Sequence, residues 1–265
     1  MPSNEHDAAL TGNNREEPPA FSPEWAFFLD VDGTLLDIAD HPHSIRVDPG
    51  LRHLLRELLA LTDGALALVS GRAIADIDRL LASANFCVAG QHGAERRDAA
   101  GRLHLHRLSL GKLRRAGLRL RRLVAEHPQL VLEDKGMSLA LHYRLAPQLG
   151  EEVRDVMRAM VDKLGDRFEL QTGKMVFEIK VGGTDKGAAI EEYMREKPFR
   201  KRLPVFVGDD LTDEAGFEFV NRVGGHSIKV GEGVSSARWR LADANAVRAW
   251  LGTFIDRHRS ADQAS

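Results

Sequence analysis

Residues 25–35 read Trp25-Ala26-Phe27-Phe28-Leu29-Asp30-Val31-Asp32-Gly33-Thr34-Leu35: an apolar run that drives straight into two carboxylates set two residues apart. Such a continuous run suits a parallel strand covered on both faces. In an open parallel sheet, ligands bind beyond the carboxyl ends of the strands. Residues i and i+2 of an extended segment point the same way, so Asp30 and Asp32 can converge on one small target. Gly33 permits a tight turn that exposes backbone N–H groups, and Thr34 adds a hydroxyl. A plain strand followed by an acidic turn remains open at this point. An EF-hand calcium loop does not fit, because its alternating oxygen ligands and closing Glu are missing.

Outward from this stretch, the chain keeps a βαβ rhythm. "GALALVS" and "FCVAG" are further short apolar runs, and between the first two strands lies "VDPGLRHLLRELLALTDG". There Leu51, Leu54, Leu55, Leu58 and Leu59 follow helical spacing, Asp48 can cap, Pro49 suits the first turn and Gly64 follows the end. The rhythm resumes late with the helical "DKGAAIEEYMREK", the apolar "LPVFVGDD" and the strand-like "HSIKVG". The middle differs: a basic helical segment "LGKLRRAGLRLRRLVAEH", then "MSLALHYR" with period-two alternation, a helix "EEVRDVMRAMVDKLG", and the pair "FELQ" and "KMVFEIKV" around Thr172-Gly173. This predicts an α+β module with an antiparallel sheet, inserted into an α/β domain. The expected boundaries are a loose N-terminal tail over 1–22, core over 23–107, the inserted module over 108–181, core again over 182–257 and a C-terminal tail over 258–265.

Other predicted strand ends carry polar groups as well. "LVSGR" places Ser70 at one, "FVGDDLTDE" places Asp209, Asp210 and Asp213 at another, and "GGTDKGAAI" sets Lys186 at a helix start. Singly, these residues read equally well as a cap, a surface lysine and a capping carboxylate. Together they supply a nucleophile, a hydroxyl, a fixed positive charge and an oxygen-rich site suited to a divalent cation.

That ordered set resembles the haloacid dehalogenase superfamily of phosphotransferases. Its four motifs match in order: Asp30-Val31-Asp32-Gly33-Thr34-Leu35, Ser70, Lys186, and Gly208-Asp209-Asp210 with Asp213. "DGALALVSGR", "GQHGAERRD", "KGMSLALHYR", "GKMVFEIKVGGTDKG" and "VFVGDDLTDEAGF" are more closely similar to the bacterial trehalose-6-phosphate phosphatases within it. The resemblance implies a Rossmann-like parallel-sheet core with the inserted α+β module as its cap. It implies Mg²⁺ held by Asp30, the backbone carbonyl of Asp32 and Asp209, with Asp210 or Asp213 near the ion. Asp30 would attack phosphorus, Asp32 would carry protons, and Ser70 and Lys186 would hold the phosphoryl oxygens.

In the cap, alternation sets Lys174, Val176, Glu178 and Lys180 on one strand face and Met175, Phe177 and Ile179 on the other, while Glu133 and Lys135 point together. A solvated face would explain such charges. The resemblance matches Glu133, Lys135, Lys174 and Glu178 to residues that grip a disaccharide. Arg72 and His92 could contact substrate or serve structure alone. Another capped sugar phosphatase, such as one acting on sucrose phosphate, is the alternative. A phospho-aspartyl receiver module is a remoter one, because it would leave Asp32 and the cap idle.

Composition narrows the partners. A net charge of -2 from 37 basic and 39 acidic residues gives no bulk attraction to nucleic acid or an anionic membrane. The arginine-rich segment keeps Leu113, Leu120 and Val124 on one face, which favours an ordinary solvated helix. The single cysteine, Cys87, cannot form an intrachain disulfide and reads as a core residue. Residues 1–20 hold no apolar block of signal-peptide length, so a monomer in the cytoplasm acting on a small molecule is expected.

Overall fold

The computed structural model describes residues 18–37, 47–83, 86–106, 110–173 and 175–263, with the backbone only at 110 and 258–263. Strand β1 (Trp25–Leu29) is fully buried and lies at the centre of an eight-stranded sheet. Its neighbours are β2 (Leu66–Val69) on one side and β10 (Leu203–Gly208) on the other, both parallel. Beyond β2 come β3 (Cys87–Gly90), β4 (Glu95–Arg97) and β5 (Leu103–Leu105); beyond β10 come β11 (His226–Val230) and β12 (Trp239–Leu241). The strands from β12 to β3 are parallel, and β4 and β5 add an antiparallel hairpin at one edge.

The continuous apolar run of β1 follows from burial on both faces. Phe27 and Leu29 pack with Leu51, Leu55 and Leu58 of α1 (Pro49–Leu61), Ile74 and Ile77 of α2 (Ile74–Leu81), and Leu251 and Phe254 of α7 (Ala244–Gln263). Ala26 and Phe28 pack on the opposite face with Ile190 and Tyr193 of α5 (Lys186–Met194) and Phe217 of α6 (Glu214–Arg222). Truncating a fully buried phenylalanine such as Phe28 to alanine costs about 3–5 kcal/mol. Asp48 caps α1 as expected, accepting the Leu51 N–H at 2.9 Å with Pro49 in the first turn.

Between β5 and α5 lies a separate four-stranded antiparallel sheet ordered β6 (Val131–Asp134), β7 (Leu139–His142), β9 (Val176–Val181), β8 (Phe168–Gly173). Helices α3 (Leu110–Glu126) and α4 (Gly150–Leu164) cover one face, where Leu113, Leu120, Val153, Met157, Leu141, Phe177 and Ile179 form the cap core. Glu133, Ala140, Glu178 and Gln171 form a cross-strand row on the other face. Ala94 of the core touches Met137 and Val181 of the cap.

Two tail expectations change. Phe21 stacks against Phe27 and packs on Phe254, so the core begins ahead of residue 23. Helix α7 runs through Gln263 rather than ending at 257. Cys87 is buried, and burial pushes its thiol up to about 12, as suits an inert core residue. Among the described residues, no helix is long and apolar enough to cross a membrane.

Candidate active site

The carboxyl ends of β1 and β10 bring the acidic motifs together. Asp30 follows β1, its backbone N–H bound to the Val207 carbonyl at 3.0 Å. Its carboxylate is buried and accepts from the Lys186 ammonium at 2.6 Å; the same ammonium donates to Asp213 at 2.6 Å. Lys186 is the first residue of α5, which explains its fixed aim across the sheet edge. Asp30, Asp209 and Asp213 each offer an oxygen within 4.8 Å of the others.

One ammonium cannot neutralise three clustered carboxylates. Burial first, then Asp213 and Asp209, raise the Asp30 carboxyl well above its usual range despite Lys186. Asp209 is pushed up to about 6 by burial and Asp213. Lys186 moves the other way to its burial, held charged by Asp213 and Asp30. The cluster therefore has a deficit of positive charge, the condition a divalent cation relieves.

Gly33 has φ 86°, and a Cβ there would fall 2.1 Å from Asp209 Oδ2, so only glycine lets that carboxylate pack against the turn after β1. Asp213 spends one oxygen on the N–H groups of Asp209 and Asp210, both at 2.9 Å, and the other on Lys186. Asp30 and Asp209 keep the freer oxygens, with Asp213 as the buttress beneath them. Thr34 donates to Asp209 at 3.4 Å. Asp210 does not join the cluster: it is exposed, and its carboxylate accepts the Leu211 N–H at 2.6 Å to cap a short 3₁₀ turn. Of the two carboxylates expected near the ion, Asp213 lies in the cluster and Asp210 caps this turn.

Asp32 sits apart from Asp30. The Arg72 fork takes both its oxygens, at 2.6 Å from Nε and 2.7 Å from Nη2. Arg72 thereby meets a protein carboxylate in this structure. Ser70 is buried at the end of β2, and its Oγ accepts the Arg72 N–H at 3.1 Å.

The cap contributes a second cluster. Glu178 is buried, accepting from Ser138 Oγ at 2.6 Å and from Lys135 Nζ at 3.2 Å, with His92 Nε2 at 3.6 Å. Burial opposes its charge, yet Lys135, His92 and Ser138 hold its carboxyl well below the usual range. The solvated-face reading of this strand thus fails for Glu178, which lies under the cap against the core. Glu133 faces the same way and pairs with His142 at 3.1 Å. Lys180, on the same face, donates to the Thr184 carbonyl at 2.6 Å and pairs with Glu169. Lys174 lies outside the described residues. His92 belongs to a turn with two successive left-handed residues, Gln91 at φ 48° and His92 at φ 58°. Such strain costs about 1–3 kcal/mol per residue and gathers at functional sites.

Three contributors escaped the sequence reading. Ser138 shares period-two spacing with Ala140 and His142, a signal that could have found it. Lys229, at the end of β11, donates to the Asp209 carbonyl, and its place near a strand end was a weaker sign. Gln91, which joins cap to core, had no signal beyond standing beside His92.

Residues 28–245 match the family described as Trehalose-phosphatase. The chain is 45% identical to the trehalose-6-phosphate phosphatase of Escherichia coli over 89% of this chain and 88% of that one. It is 42% identical to a probable trehalose-phosphate phosphatase of Sinorhizobium fredii over 84% and 85%. A crystal structure of a trehalose-6-phosphate phosphatase related protein superposes with TM-score 0.74 at 30% identity, covering 89% of this chain and 99% of that one. The fold is shared with the C-terminal domain of the C. albicans enzyme at TM-score 0.75 and 20% identity, over 90% and 98%. With the haloacid dehalogenase fold, the acidic cluster and the inserted cap in place, the chain belongs to the trehalose-phosphatase family and is a phosphoric monoester hydrolase.

Proposed function

We propose that this enzyme hydrolyses trehalose 6-phosphate to trehalose and phosphate, in a Mg²⁺-dependent reaction through an aspartyl-phosphate. The observation that carries the reading is a cation-deficient carboxylate cluster at the end of β1 together with a polar, buried cap cluster that meets the core at His92.

Asp30 is the nucleophile. Its carboxylate attacks phosphorus, the P–O bond to the sugar breaks, and the electron pair leaves on the sugar oxygen. Asp32, freeing one oxygen from the Arg72 fork to carry a proton, protonates that oxygen and then takes a proton from the water that cleaves the acyl phosphate, returning Asp30 to its free form. Lys186 and Ser70 receive the transferring phosphoryl oxygens, which requires Lys186 to turn part of its charge from Asp30 to the substrate. Asp30, the Asp32 carbonyl and Asp209 would hold Mg²⁺, which supplies positive charge to an otherwise repelled phosphate when bound. Glu178, Lys135 and Glu133 take the hydroxyls of the disaccharide, and exchange their mutual contacts for them. Lys174 belongs with this set by its place in the sequence. The protein acts as a monomer in the cytoplasm, without nucleic acid or membrane.

A panel of sugar phosphates, assayed for phosphate release with Mg²⁺ and after chelation, tests this reading. Preference for trehalose 6-phosphate and loss of turnover on chelation are expected. A flat profile removes the substrate, preference for sucrose phosphate replaces it, and full turnover without metal removes the cofactor.

A further inference from the structure

Gln91 bridges cap and core through a single buried carboxamide. Its Oε1 accepts the Met137 backbone N–H of the cap at 3.1 Å, and its Nε2 donates to Glu95 at 3.1 Å. Glu95 in turn accepts the Ile74 N–H at 2.8 Å, just past the Arg72 loop. The backbone of the same turn grips that loop directly. Gln91 N–H donates to the Arg72 carbonyl at 2.9 Å, and His92 N–H to the Ser70 carbonyl at 3.0 Å.

The turn has no slack. A Cβ added at Gly90 would lie 2.8 Å from Glu95 Oε1, 2.9 Å from the Arg72 carbonyl and 3.0 Å from the Ile74 nitrogen. With Gln91 and His92 both held left-handed, a shift of the turn has to move residues 70–74 with it. At the far end of that loop, the Arg72 guanidinium fixes both oxygens of Asp32.

We propose that Gln91 is a positioning residue that ties the seating of the cap to the placement of Asp32, through the path Met137 N–H, Gln91, Arg72, Asp32. The inference rests on Asp32 as the proton carrier of the proposed reaction. When the cap is seated, Met137 holds the Gln91 side chain, the turn is fixed, and Arg72 presents Asp32 in one place. When the cap lifts, Gln91 loses its cap partner and the turn is free to shift, carrying residues 70–74 and the Arg72 side chain with it. Proton transfer is then confined to the enzyme with substrate enclosed.

Wild-type turnover of trehalose 6-phosphate tests the underlying reading by itself; whichever sugar phosphate the wild type turns over best then serves for the variants. Gln91→Ala is expected to lower kcat at least about tenfold while KM changes less than about threefold. If Gln91 acts through Arg72, adding Gln91→Ala to Arg72→Lys costs less than about twofold more than Arg72→Lys alone. The paired exchange Gln91→Glu with Glu95→Gln keeps an acceptor for Met137 and a donor between the two side chains. It should recover kcat to within about threefold of wild type, where Gln91→Glu alone does not. This pair carries the test if Gln91→Ala melts too low to assay. Losses that multiply in the double variant, a change confined to KM, or a paired exchange no better than Gln91→Glu would overturn the proposal.

Discussion

The core cluster and the cap cluster both set buried carboxylate against a lysine and settle their charges in opposite ways. In the core, Asp30, Asp209 and Asp213 share Lys186, and two of the three carboxyls are pushed upward. In the cap, the one buried carboxylate of Glu178 has Lys135, Ser138 and His92 around it and is pushed down. A satisfied cluster orders a surface; an unsatisfied one stores affinity for whatever corrects it. On the proposed reading, the core takes up a cation and a phosphate, whereas the cap, whose charges are already paired, trades partners with a sugar.

The sharpest way to break this contrast is at Asp30. Asp30→Asn should lower kcat by at least about 10⁴-fold, because an amide is a poor nucleophile. The same change removes one of the carboxylates competing for Lys186, so the thermal midpoint should hold or rise. Substantial turnover, or a clear fall in midpoint, would mean that Asp30 is a structural partner of Lys186 instead.

The cap should answer with the opposite sign in stability. Glu178→Ala leaves Lys135 without its buried partner and is expected to cost about 3 kcal/mol. On trehalose 6-phosphate, kcat/KM should fall about a hundredfold, and on a small aryl phosphate, which has no glucosyl hydroxyls, far less. Equal losses on both substrates would make Glu178 a support of cap closure and not a sugar contact.

A smaller effect sharpens the comparison through pH. Asp209 has its folded carboxyl raised from 3.8 to about 6, so in the metal-free fold its charge is unfavourable above that value and is relieved as pH falls through it. On the proposed reading, Mg²⁺ would relieve the same repulsion and compete with the proton. Added at about a hundred times its dissociation constant, it should stabilise the fold near pH 8 by about 2.7 kcal/mol. The shift in thermal midpoint should shrink at pH 5. A pH-independent shift would place the ion elsewhere.

Much of this was legible in the sequence because the signals were local. The run into Asp30 announces a central strand, since only two-sided burial tolerates such a sequence, and Leu51, Leu55 and Leu58 mark their helix by spacing alone. Asp30, Ser70, Lys186 and Asp209 stand at element ends, where a parallel sheet gathers functional groups. What escaped depends on partners distant in the chain. Nothing near Asp210 says that its carboxylate turns to Leu211 while Asp213 turns inward. The sequence leaves Arg72 open between substrate and structure, because its bond to Asp32 joins residues from the loops after two different strands. The hairpin of β4 and β5 escapes because its strands are three residues each, β4 reads Glu95-Arg96-Arg97, and the short alternation of Leu103 to Leu105 lies exposed at a sheet edge.

The pairing of β1 with β10 has a kinetic consequence. Trp25 to Leu29 lie beside Leu203 to Val207, so the strand that ends at Asp30 lacks one neighbour until most of the chain exists. The cap, continuous in sequence with its own apolar core, has no such wait. During synthesis from the N-terminus, local contacts form first and long-range parallel pairing forms late. The catalytic floor is therefore among the last parts to close, and a chain halted before β10 bears a finished cap over an open, apolar edge.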